Sequence, residues 1–475
     1  MKLIINKQKF EHIAREIITA YYPKIKIETT NSIPKNENYV FVDVSYRNNI
    51  HVYYVQVCID GTVLSDTCSD RVENKLCISK LISNLLKKIC GLDLPWGILT
   101  GIRPAKMVRE LAQSGMDYDS IYKLFVNDYD VHTQKAALAI EVAKKEIKLI
   151  ADMNKQAVSL YIGIPFCPTR CLYCSFTSQS IKFSNTLVEP YMNALFKEID
   201  FVKNYIECAK IPVETIYIGG GTPTALDEYN LAKLCSKMSE SFDVKNVKEY
   251  TVEAGRPDTI TKEKLRILKE NYVSRISINP QTMNSKTLEL IGRRHTPYDI
   301  INCYDMARSL GFNHINADLI TGLPGESLSD FEYTLKQIQK LSPESVTVHT
   351  LSVKHGSYLD MNYSMYTPTA ANTVNNMLSS ANSLMANMGK TPYYLYRQKN
   401  MLGNLENVGY CTPGSECLYN IYIMEEVQSI ISLGAGGSTK IVNDDKIERV
   451  FNVKEVSEYI KRIDEMILRK NQLLT

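Results

Sequence analysis

The chain has 475 residues, of which 44% are hydrophobic and 23% are charged, and its formal net charge is +3. This length exceeds what one hydrophobic core usually supports, so the sequence predicts at least two structural regions. The small net charge does not indicate nucleic-acid binding, which would require a strong and clustered basic excess. No run approaches the roughly 18 apolar residues of a membrane span. The segment after Met1 lacks the apolar core and cleavage site of a secretory signal, so we expect a cytoplasmic protein.

The amino-terminal region predicts a small α/β accessory domain. Apolar and polar residues alternate over residues 39–64, as is typical of β-strands, and Asp60-Gly61 is a strong hairpin turn signal. A helical periodicity over residues 71–89 ends at Gly91, a glycine in the position that often terminates a helix.

A loop rich in glycine and proline, WGILTGIRPAK at residues 96–106, contains the only tryptophan of the chain. Arg103 and Lys106 stand at the predicted start of the next helix. They either bind an acidic ligand or remain solvated surface charges. Amphipathic helices over residues 119–152 then lead to the following domain.

Three cysteines, Cys167, Cys171 and Cys174, follow the next strand-like run in a C-x3-C-x2-C spacing. One short loop can bring these thiolates to one point, and thiolates are soft ligands that select iron–sulfur clusters or zinc. A structural zinc site normally has four protein ligands. A [4Fe–4S] cube held by three cysteines leaves one iron open to a small molecule, so the spacing predicts such a cluster. The alternative is three buried core thiols.

Nine further cysteines lie outside this loop, most of them singly within apolar patterns. Cys411 and Cys417 flank Thr412-Pro413-Gly414. They either form an additional ligand pair or belong to a plain turn, and the spacing favours the plain turn.

Strand-like runs alternate with helical patterns after residue 158. The six runs cover residues 159–164, 214–218, 249–253, 275–279, 314–320 and 345–350. This alternation predicts parallel strands with crossover helices, arranged as an α/β partial (β/α)6 barrel with its chemistry at the carboxyl ends of the strands. We therefore predict an accessory domain with a helical connector at residues 1–157, the barrel at 158–390, and a C-terminal extension at 391–475.

Polar residues and glycines stand at the ends of several predicted strands. Gly219-Gly220-Gly221 follows the second strand, and glycines let a ligand approach the backbone without a Cβ in the way. Glu253 ends the third strand and Asp318 lies in the apolar fifth strand. Because unpaired carboxylates are costly there, both are candidates for function rather than satisfied structural acids. We expect surface or hydrogen-bonded positions, without a chemical role, for His295, His349 and His355.

The motifs YIGIPFCPTRCLYCSF, GGGTPT, VEAGRPD, RISINPQTMN, IGRRHT and ADLITGLPGES occur in this order over about residues 158–440. Together they resemble the oxygen-independent coproporphyrinogen III oxidase family of radical S-adenosylmethionine (SAM) enzymes. The WGILTGIRPAK segment further resembles the long coproporphyrinogen dehydrogenase variant of that family. The resemblance implies an oxidoreductase of haem biosynthesis that converts coproporphyrinogen III to protoporphyrinogen IX by oxidative decarboxylation.

The same resemblance implies cofactors, partners and site residues. The cofactors would be SAM and one [4Fe–4S] cluster, with Cys167, Cys171 and Cys174 as the cluster ligands. The SAM site would contain Tyr161, Gly220, Gly221, Thr222, Glu253, Gln281, Arg293 and Asp318. The partners would be a tetrapyrrole substrate and a reduced flavodoxin- or ferredoxin-type electron donor.

The propionates of such a substrate need cationic groups near the barrel mouth. Arginine suits this role because its planar fork can bind a carboxylate through two hydrogen bonds. We expect it of Arg103, Arg256 and Arg294, each of which stands beside a loop that contains glycine or proline.

Two alternative functions remain open at this stage. The first is a haem-binding chaperone-like relative, because Gly163 and Phe176 replace the histidine and cysteine of the family oxidases around the cysteine loop. The second is a radical SAM methyltransferase or ring-opening enzyme that acts on a tetrapyrrole. The segment beginning at Tyr419-Asn420 lacks the histidine and tryptophan of the chaperone haem motif, so the sequence favours an enzyme over a haem carrier.

Overall fold

The structure is a computed structural model that describes residues 1–23, 25–101, 103–176, 178–398, 401–443 and 446–474. The chain forms two compact units. The first comprises Met1–Ala143 with Leu395–Glu406, and the second comprises Lys144–Tyr394 with Asn407–Thr475. None of the helices in the described part of the chain combines the length and the apolar character that crossing a bilayer requires. The division at residues 157 and 390 stays a prediction.

The first unit contains one five-stranded sheet. Its strands are β1 (Lys2–Ile5), β2 (Glu28–Thr29), β3 (Tyr39–Arg47), β4 (Ile50–Ile59) and β5 (Thr62–Asp70), in the order β2-β1-β3-β4-β5. β1 is parallel to both neighbours, whereas β3, β4 and β5 form an antiparallel meander. Asp60 and Gly61 both have positive φ angles, 49° and 82°, which the tight turn between β4 and β5 requires. The hairpin prediction is confirmed.

Two helices of this unit, α1 (Glu11–Tyr21) and α2 (Lys75–Cys90), contribute buried side chains to the same apolar core as the sheet. The Asn74 side chain accepts a hydrogen bond from the Leu76 amide at the start of α2. Gly91 ends the helix with a φ angle of 65°, which confirms its predicted role. The helices that follow are α3 (Pro104–Gln113), α4 (Tyr118–Lys123) and α5 (Thr133–Ala151).

A buried polar cluster joins the WGILTGIRPAK segment to a stretch of chain about 300 residues later. Trp96 is completely buried, and its indole N–H donates to Glu406 at 2.7 Å. Lys135 donates to the other oxygen of the same carboxylate. The guanidinium of Arg397 donates to the carbonyl of Leu99. The segment Leu395–Glu406 is therefore a structural part of the first unit.

The large sheet has eleven strands. In chain order the strands of this region are β6 (Val158–Ile164), β7 (Phe166–Cys167), β8 (Gln179–Ser180), β9 (Val213–Gly220), β10 (Glu249–Gly255), β11 (Arg275–Ile278), β12 (Ile315–Thr321), β13 (Ser345–Thr350), β14 (Thr391–Tyr396), β15 (Asn407–Cys411), β16 (Ser429–Leu433), β17 (Ser438–Asn443) and β18 (Lys446–Phe451). The sheet order is β14-β15-β13-β12-β11-β10-β9-β6-β16-β17-β18, and β7 and β8 pair separately.

Six strands, β6 and β9 to β13, are parallel neighbours in chain order. They coincide with the six predicted runs, so the partial (β/α)6 barrel is confirmed. The later strands extend this sheet at both edges: β16 is parallel to β6, and β15 is antiparallel to β13. The sequence periodicity did not predict these added strands.

Helices lie between the parallel strands and after them. They are α6 (Ile181–Ala209), α7 (Glu228–Ser241), α8 (Lys262–Glu270), α9 (Ser285–Leu290), α10 (Pro297–Ser309), α11 (Leu328–Leu341), α12 (Tyr358–Met361), α13 (Ala371–Asn387), α14 (Leu418–Glu425), α15 (Val456–Lys461) and α16 (Ile463–Leu474). Capping boxes start α10, at Thr296 and Asp299, and α11, at Ser327 and Asp330. Apolar residues of α6, α7, α8, α10, α15 and α16 pack with those of β6, β9, β10, β11 and β16 in one core.

Candidate active site

The three cysteines lie in a loop that leaves the carboxyl end of β6. The short pairing of β7 with β8 closes this loop at both ends. Cys167 and Cys171 are buried and Cys174 is half-buried, and the thiols are close enough to influence one another's ionisation. Burial raises the pKa of Cys167 and of Cys174, so the free loop favours neutral thiols. A metal that binds the thiolates would offset this cost.

The cysteine loop could hold an iron–sulfur cluster. Its three thiols, Cys167, Cys171 and Cys174, are soft ligands in one short loop that the pairing of β7 with β8 closes. Across the described ranges, no group of three or more Cys, His, Asp and Glu side chains is arranged to hold one metal ion.

Two glycines, the last residue of β9 and the residue after it, allow the second-strand loop to pack directly against the cysteine loop. A Cβ on Gly221 would lie 2.6 Å from the Phe166 carbonyl oxygen and 3.0 Å from the Cys167 sulfur. Gly220 has a φ angle of 111°, and a Cβ there would lie 2.9 Å from the Ile164 nitrogen. Any larger residue would therefore displace the loop that bears Cys167.

Thr222 completes this contact. Its hydroxyl lies 3.5 Å from the Cys167 sulfur, and its amide donates to the Phe166 carbonyl at 2.8 Å. The Gly221 amide donates to the Ile164 carbonyl at 2.8 Å. Because these two amides already have protein partners, this loop must present other groups to a ligand.

An aromatic stack supports Glu253 at the end of β10. Tyr161 and Tyr217 are register partners in β6 and β9, and their rings stack at 6.1 Å with an angle of 16°. Tyr419 stacks on Tyr217 at 4.6 Å. The Tyr217 hydroxyl donates to Glu253 at 2.6 Å. Burial raises the pKa of Glu253 to about 7, and nearby Asp318 adds to the effect, so this carboxyl can gain or lose a proton near neutral pH.

Asp318 has the opposite electrostatic character. It accepts a hydrogen bond from Asn316 at 2.8 Å, and the His349 ring lies 3.7 Å from its other oxygen. Burial acts to raise the pKa of Asp318, but the nearby His349 ring and the hydrogen bond from Asn316 together outweigh it and hold the pKa below its ordinary value. Two carboxyl groups of unlike proton affinity therefore lie on β10 and β12, which are separated in the sheet by β11.

Gln281 and Arg293 each have a buried polar atom without a protein partner among the described residues. Gln281 has a left-handed φ angle of 67°, and its side-chain oxygen is unpaired. Arg293 donates to the Asn279 carbonyl at 2.7 Å and interacts with Cys171, but its Nε is unpaired. Unpaired buried groups and strained backbone are costly and are typical of ligand sites. Arg293 offers a donor beside Cys171 and Gln281 offers an acceptor after β11, and such groups fit a polar ligand such as SAM.

His295 lies below the surface, contrary to the sequence-based expectation. It is 4% exposed, and neither ring nitrogen has a partner within the described part of the chain. Burial and the charge of Arg293 lower the pKa of His295 to about 4, so the ring is neutral at pH 7. The expectation was wrong because periodicity does not reveal burial in a loop. His349 is paired with Asp318 and His355 is fully exposed, as expected.

An open cavity of about 610 Å³ adjoins the cysteine loop. It is lined by Thr169, Arg170, Ser285, Glu289, Gly292, Arg293, Arg294, His295 and Thr296. Three arginines and one glutamate give this lining a net positive charge. The cavity is therefore suited to an anionic group.

The three proposed substrate arginines have different surroundings. Arg294 is exposed and lines the cavity. Arg103 precedes α3 in the first compact unit. Arg256 is buried, and its guanidinium is bound to Asp258 and Thr169. The guanidinium of Arg256 therefore already donates its hydrogen bonds to protein groups. This corrects the prediction that Arg256 binds a substrate carboxylate.

Cys411 and Cys417 lie away from the cysteine loop. Cys411 is opposite Ser345, the first residue of β13, and Cys417 donates to the carboxylate of Glu249, the first residue of β10, at 3.1 Å. Both therefore lie at the amino ends of the parallel strands, where they have the structural partners that the plain-turn alternative requires.

Comparisons with known proteins agree with this geometry. Residues 161–338 match the family model of the radical SAM superfamily. An oxygen-independent coproporphyrinogen-III oxidase-like protein, HemZ of Bacillus subtilis, is 44% identical over 392 residues, which cover 82% of this chain and 78% of HemZ. The heme chaperone HemW of the same organism is 38% identical over 197 residues, covering 41% of this chain and 51% of HemW.

Among solved structures, coproporphyrinogen III oxidase (HemN) from Escherichia coli matches with a TM-score of 0.54 at 22% identity, covering 68% of this chain and 72% of that one. This likeness shows the fold. The superfamily match identifies a [4Fe–4S] cluster and SAM as cofactors and a reductant as a requirement. The extent of the likeness to HemZ establishes the relationship: the chain belongs to the oxygen-independent coproporphyrinogen-III oxidase-like family of radical SAM enzymes.

Proposed function

We propose that the protein catalyses the oxygen-independent oxidative decarboxylation of coproporphyrinogen III to protoporphyrinogen IX. The observation that carries the proposal is the cationic cavity next to the cysteine loop, with Arg170, Arg294 and the neutral His295 in its lining. Coproporphyrinogen is an apolar ring with propionate carboxylates, so its recognition needs such cations near the reactive centre. We expect the reaction to take place in the cytoplasm.

In this proposal, Cys167, Cys171 and Cys174 bind the [4Fe–4S] cluster. The residues proposed for SAM are Tyr161, Gly220, Gly221, Thr222, Glu253, Gln281, Arg293 and Asp318. When bound, the two cofactors supply the radical chemistry that removes hydrogen from a propionate side chain before carbon dioxide leaves.

The side chains of the chain itself bind and orient the reactants. Glu253 can hold a proton near neutral pH and then donate a hydrogen bond, whereas Asp318 remains ionised and can only accept one. The unpaired Nε of Arg293 can donate to a carboxylate. The stacked rings of Tyr161, Tyr217 and Tyr419 exclude water from one side of Glu253.

The deciding experiment is an anaerobic assay of the reconstituted protein with coproporphyrinogen III, SAM and a reduced flavodoxin- or ferredoxin-type electron donor. Decarboxylation releases carbon dioxide and converts two propionates to vinyl groups. A tetrapyrrole methyltransferase would instead release S-adenosylhomocysteine. The Cys171→Ala variant is the negative control. Absence of carbon dioxide and of a vinyl product, with a complete cluster and bound SAM, would contradict the proposal.

Haem binding is the second candidate, because heme chaperones HemW are among the relatives. A haem carrier needs accessible axial ligands. Tyr419, at the position of the chaperone haem motif, is buried in the aromatic stack and is not accessible for this role. A haem titration followed by absorbance separates the two functions, since a carrier binds haem stoichiometrically and leaves coproporphyrinogen unchanged.

A further inference from the structure

Arg256 is fixed immediately after β10 by the carboxylate of Asp258. Its Nε and Nη2 donate to the two oxygens of Asp258 at 3.0 and 2.9 Å. The Arg256 side chain is only 3% exposed, and that of Asp258 is 19% exposed. Two parallel hydrogen bonds at a buried position hold the guanidinium in a single orientation.

The remaining nitrogen of this guanidinium is directed at the cysteine loop. Nη1 donates to both the carbonyl and the hydroxyl oxygen of Thr169 at 2.9 Å. It also lies 3.7 Å from the sulfur of Cys171, within donor range of a thiolate. Thr169 is located between Cys167 and Cys171, so Arg256 binds the loop from the protein side and brings a buried positive charge to a thiol.

This charge has a definite consequence for the electron that the cluster receives. A [4Fe–4S] cube with three thiolates carries one net negative charge when oxidised and two after accepting one electron from a one-electron donor, with no bond made or broken. A fixed positive charge stabilises the more negative state more strongly. Hydrogen bonds to the sulfurs act in the same direction, and both are recognised determinants of cluster potential.

We propose that Arg256, held in place by Asp258, raises the reduction potential of the cluster through its contact with Cys171. The inference rests on the proposed function, in which three cysteines bind the cluster, and it assigns a role to Arg256, which is not one of these ligands. Arg256 is thus a positioning and electrostatic residue. Arg293 also interacts with Cys171, and it remains unchanged in every variant below.

Replacement of Asp258 should change the reduction potential of the cluster in the opposite direction to replacement of Arg256. Its carboxylate binds the side of the guanidinium that faces away from Cys171, so it partly cancels the positive charge felt at the sulfur. Replacing it with neutral asparagine preserves a hydrogen-bond acceptor and removes the negative charge. Asp258→Asn should therefore raise the potential, whereas Arg256→Gln should lower it. A general loosening of the loop would move both variants in the same direction.

The experiment is a redox titration of the reconstituted full chain, followed by the electron paramagnetic resonance signal of the reduced cluster, with iron and sulfide measured on each sample. Arg256→Gln should lower the ratio of reduced to oxidised cluster about tenfold at a fixed potential, which is about 59 mV for a one-electron couple. Arg256→Lys keeps the charge and should shift the potential less.

A matched control is available at the other end of the same sheet. Arg308 binds Glu344 through a similar fork, with contacts of 3.0 and 2.9 Å, at the amino ends of the parallel strands. Arg308→Gln removes an arginine–carboxylate pair of similar contact geometry, although Arg308 is 32% exposed, at the opposite ends of the strands from the cysteine loop, and should leave the potential unchanged.

An unchanged potential in Arg256→Gln with full iron content would overturn the inference, as would shifts of the same sign in Arg256→Gln and Asp258→Asn. If Arg256→Gln does not assemble a cluster, the comparison of Asp258→Asn with the unmodified protein decides: a raised potential supports the inference and an unaltered one refutes it. Failure of the ligand assignment is distinct, because iron and sulfide content would then be independent of Cys167, Cys171 and Cys174.

Discussion

Carboxyl groups at the two ends of the parallel strands have different surroundings. At the amino end, Glu249 receives hydrogen bonds from the Cys417 thiol and the Leu418 amide and lies 3.6 Å from the Arg275 guanidinium. Glu214 is bound by Gln428 and Lys248. These carboxylates connect strands to the chain that follows them, and their partners are supplied by the fold.

At the carboxyl end, Gln281, Arg293 and His295 have buried polar atoms for which the described residues provide no partner. Glu253 is held there with a raised pKa. Folding alone gains nothing from such groups, since each one costs desolvation energy. An unpaired buried atom also occurs at the amino end, at the Nε of Arg275, so the contrast lies in the carboxyl groups: those at the amino end are bound by protein donors, whereas Glu253 has a raised pKa. This contrast indicates that the amino end is built for stability and the carboxyl end for ligand binding, and the following experiments test it.

The largest effect is expected at the cysteine loop. Each of Cys167→Ala, Cys171→Ala and Cys174→Ala should abolish cluster assembly, because a three-ligand site has no spare thiolate. The measurements are iron and sulfide content and the absorption at roughly 400 nm that thiolate-bound iron clusters show. Cys208→Ala, at an exposed thiol, is the control and should assemble normally. A full cluster in all three variants would contradict the ligand assignment.

At the amino end, Glu249→Leu should lower the free energy of unfolding by about 3–5 kcal/mol, because it leaves the Arg275 charge buried without its partner. Denaturant unfolding measures the change. Asp464→Asn breaks the exposed pair with Lys197 and should cost less than about 1 kcal/mol. The folded fraction of Glu249→Leu should still bind SAM. A specific loss of SAM binding would contradict the assignment of a purely structural role to the amino end.

Glu253 should make the stability of the cofactor-free protein depend on pH. Burial raises its folded pKa from the ordinary 4.5 to about 7, so its stabilising contribution is fully present below about pH 4.5 and is lost as pH rises through about 7. The loss is about 1.4 kcal/mol for each pH unit within that window, and about 3–4 kcal/mol in total. The difference in unfolding free energy between the unmodified protein and Glu253→Gln, measured from pH 4 to 8, should show this slope, and a constant difference would refute it.

Glu253→Gln should also weaken SAM binding by about 1–3 kcal/mol, the range for a charge-assisted hydrogen bond, with iron content intact. Equilibrium binding of SAM measures it. Glu326→Gln is a suitable control, since burial likewise raises the pKa of Glu326 to about 7 but its carboxylate is bound to Thr282. Equal losses of affinity in both variants would mean that Glu253 acts through the fold.

The smallest effect is expected at the proposed substrate arginines. Arg103→Ala and Arg294→Ala should each raise the KM for coproporphyrinogen several-fold, about 1 kcal/mol, and leave SAM cleavage without substrate nearly unchanged. Kinetics of both reactions at fixed salt provide the test, because exposed ion pairs are screened. An unaltered KM for Arg103→Ala would contradict a role of Arg103 in substrate recognition.

Local patterns predicted much of this molecule. The six strand runs, the Asp60-Gly61 hairpin and the end of α2 at Gly91 each depend on neighbouring residues, and all three are confirmed. The strand ends also identified Glu253 and Asp318 as polar groups in buried surroundings, because a carboxyl group in an apolar run is visible in the sequence.

Long-range contacts could not be predicted in this way. The pairing of β16 with β6 joins residues about 270 positions apart, and no periodicity encodes it. Arg256 stands next to a proline like many surface arginines, and only the fold brings Thr169 and Cys171 to its guanidinium. The burial of His295 has the same origin, since a loop residue is covered by elements distant in sequence.

The hydrogen bond between Trp96 and Glu406 joins residues 310 positions apart, so it can form only late in the synthesis of the protein. At about 5–20 residues per second, a ribosome needs roughly 15–60 seconds after Trp96 before it adds Glu406. During that interval the first unit lacks the carboxylate that binds Trp96 and Lys135 and the guanidinium of Arg397. The nascent amino-terminal region therefore cannot complete this polar cluster until all six parallel strands of the barrel have been translated.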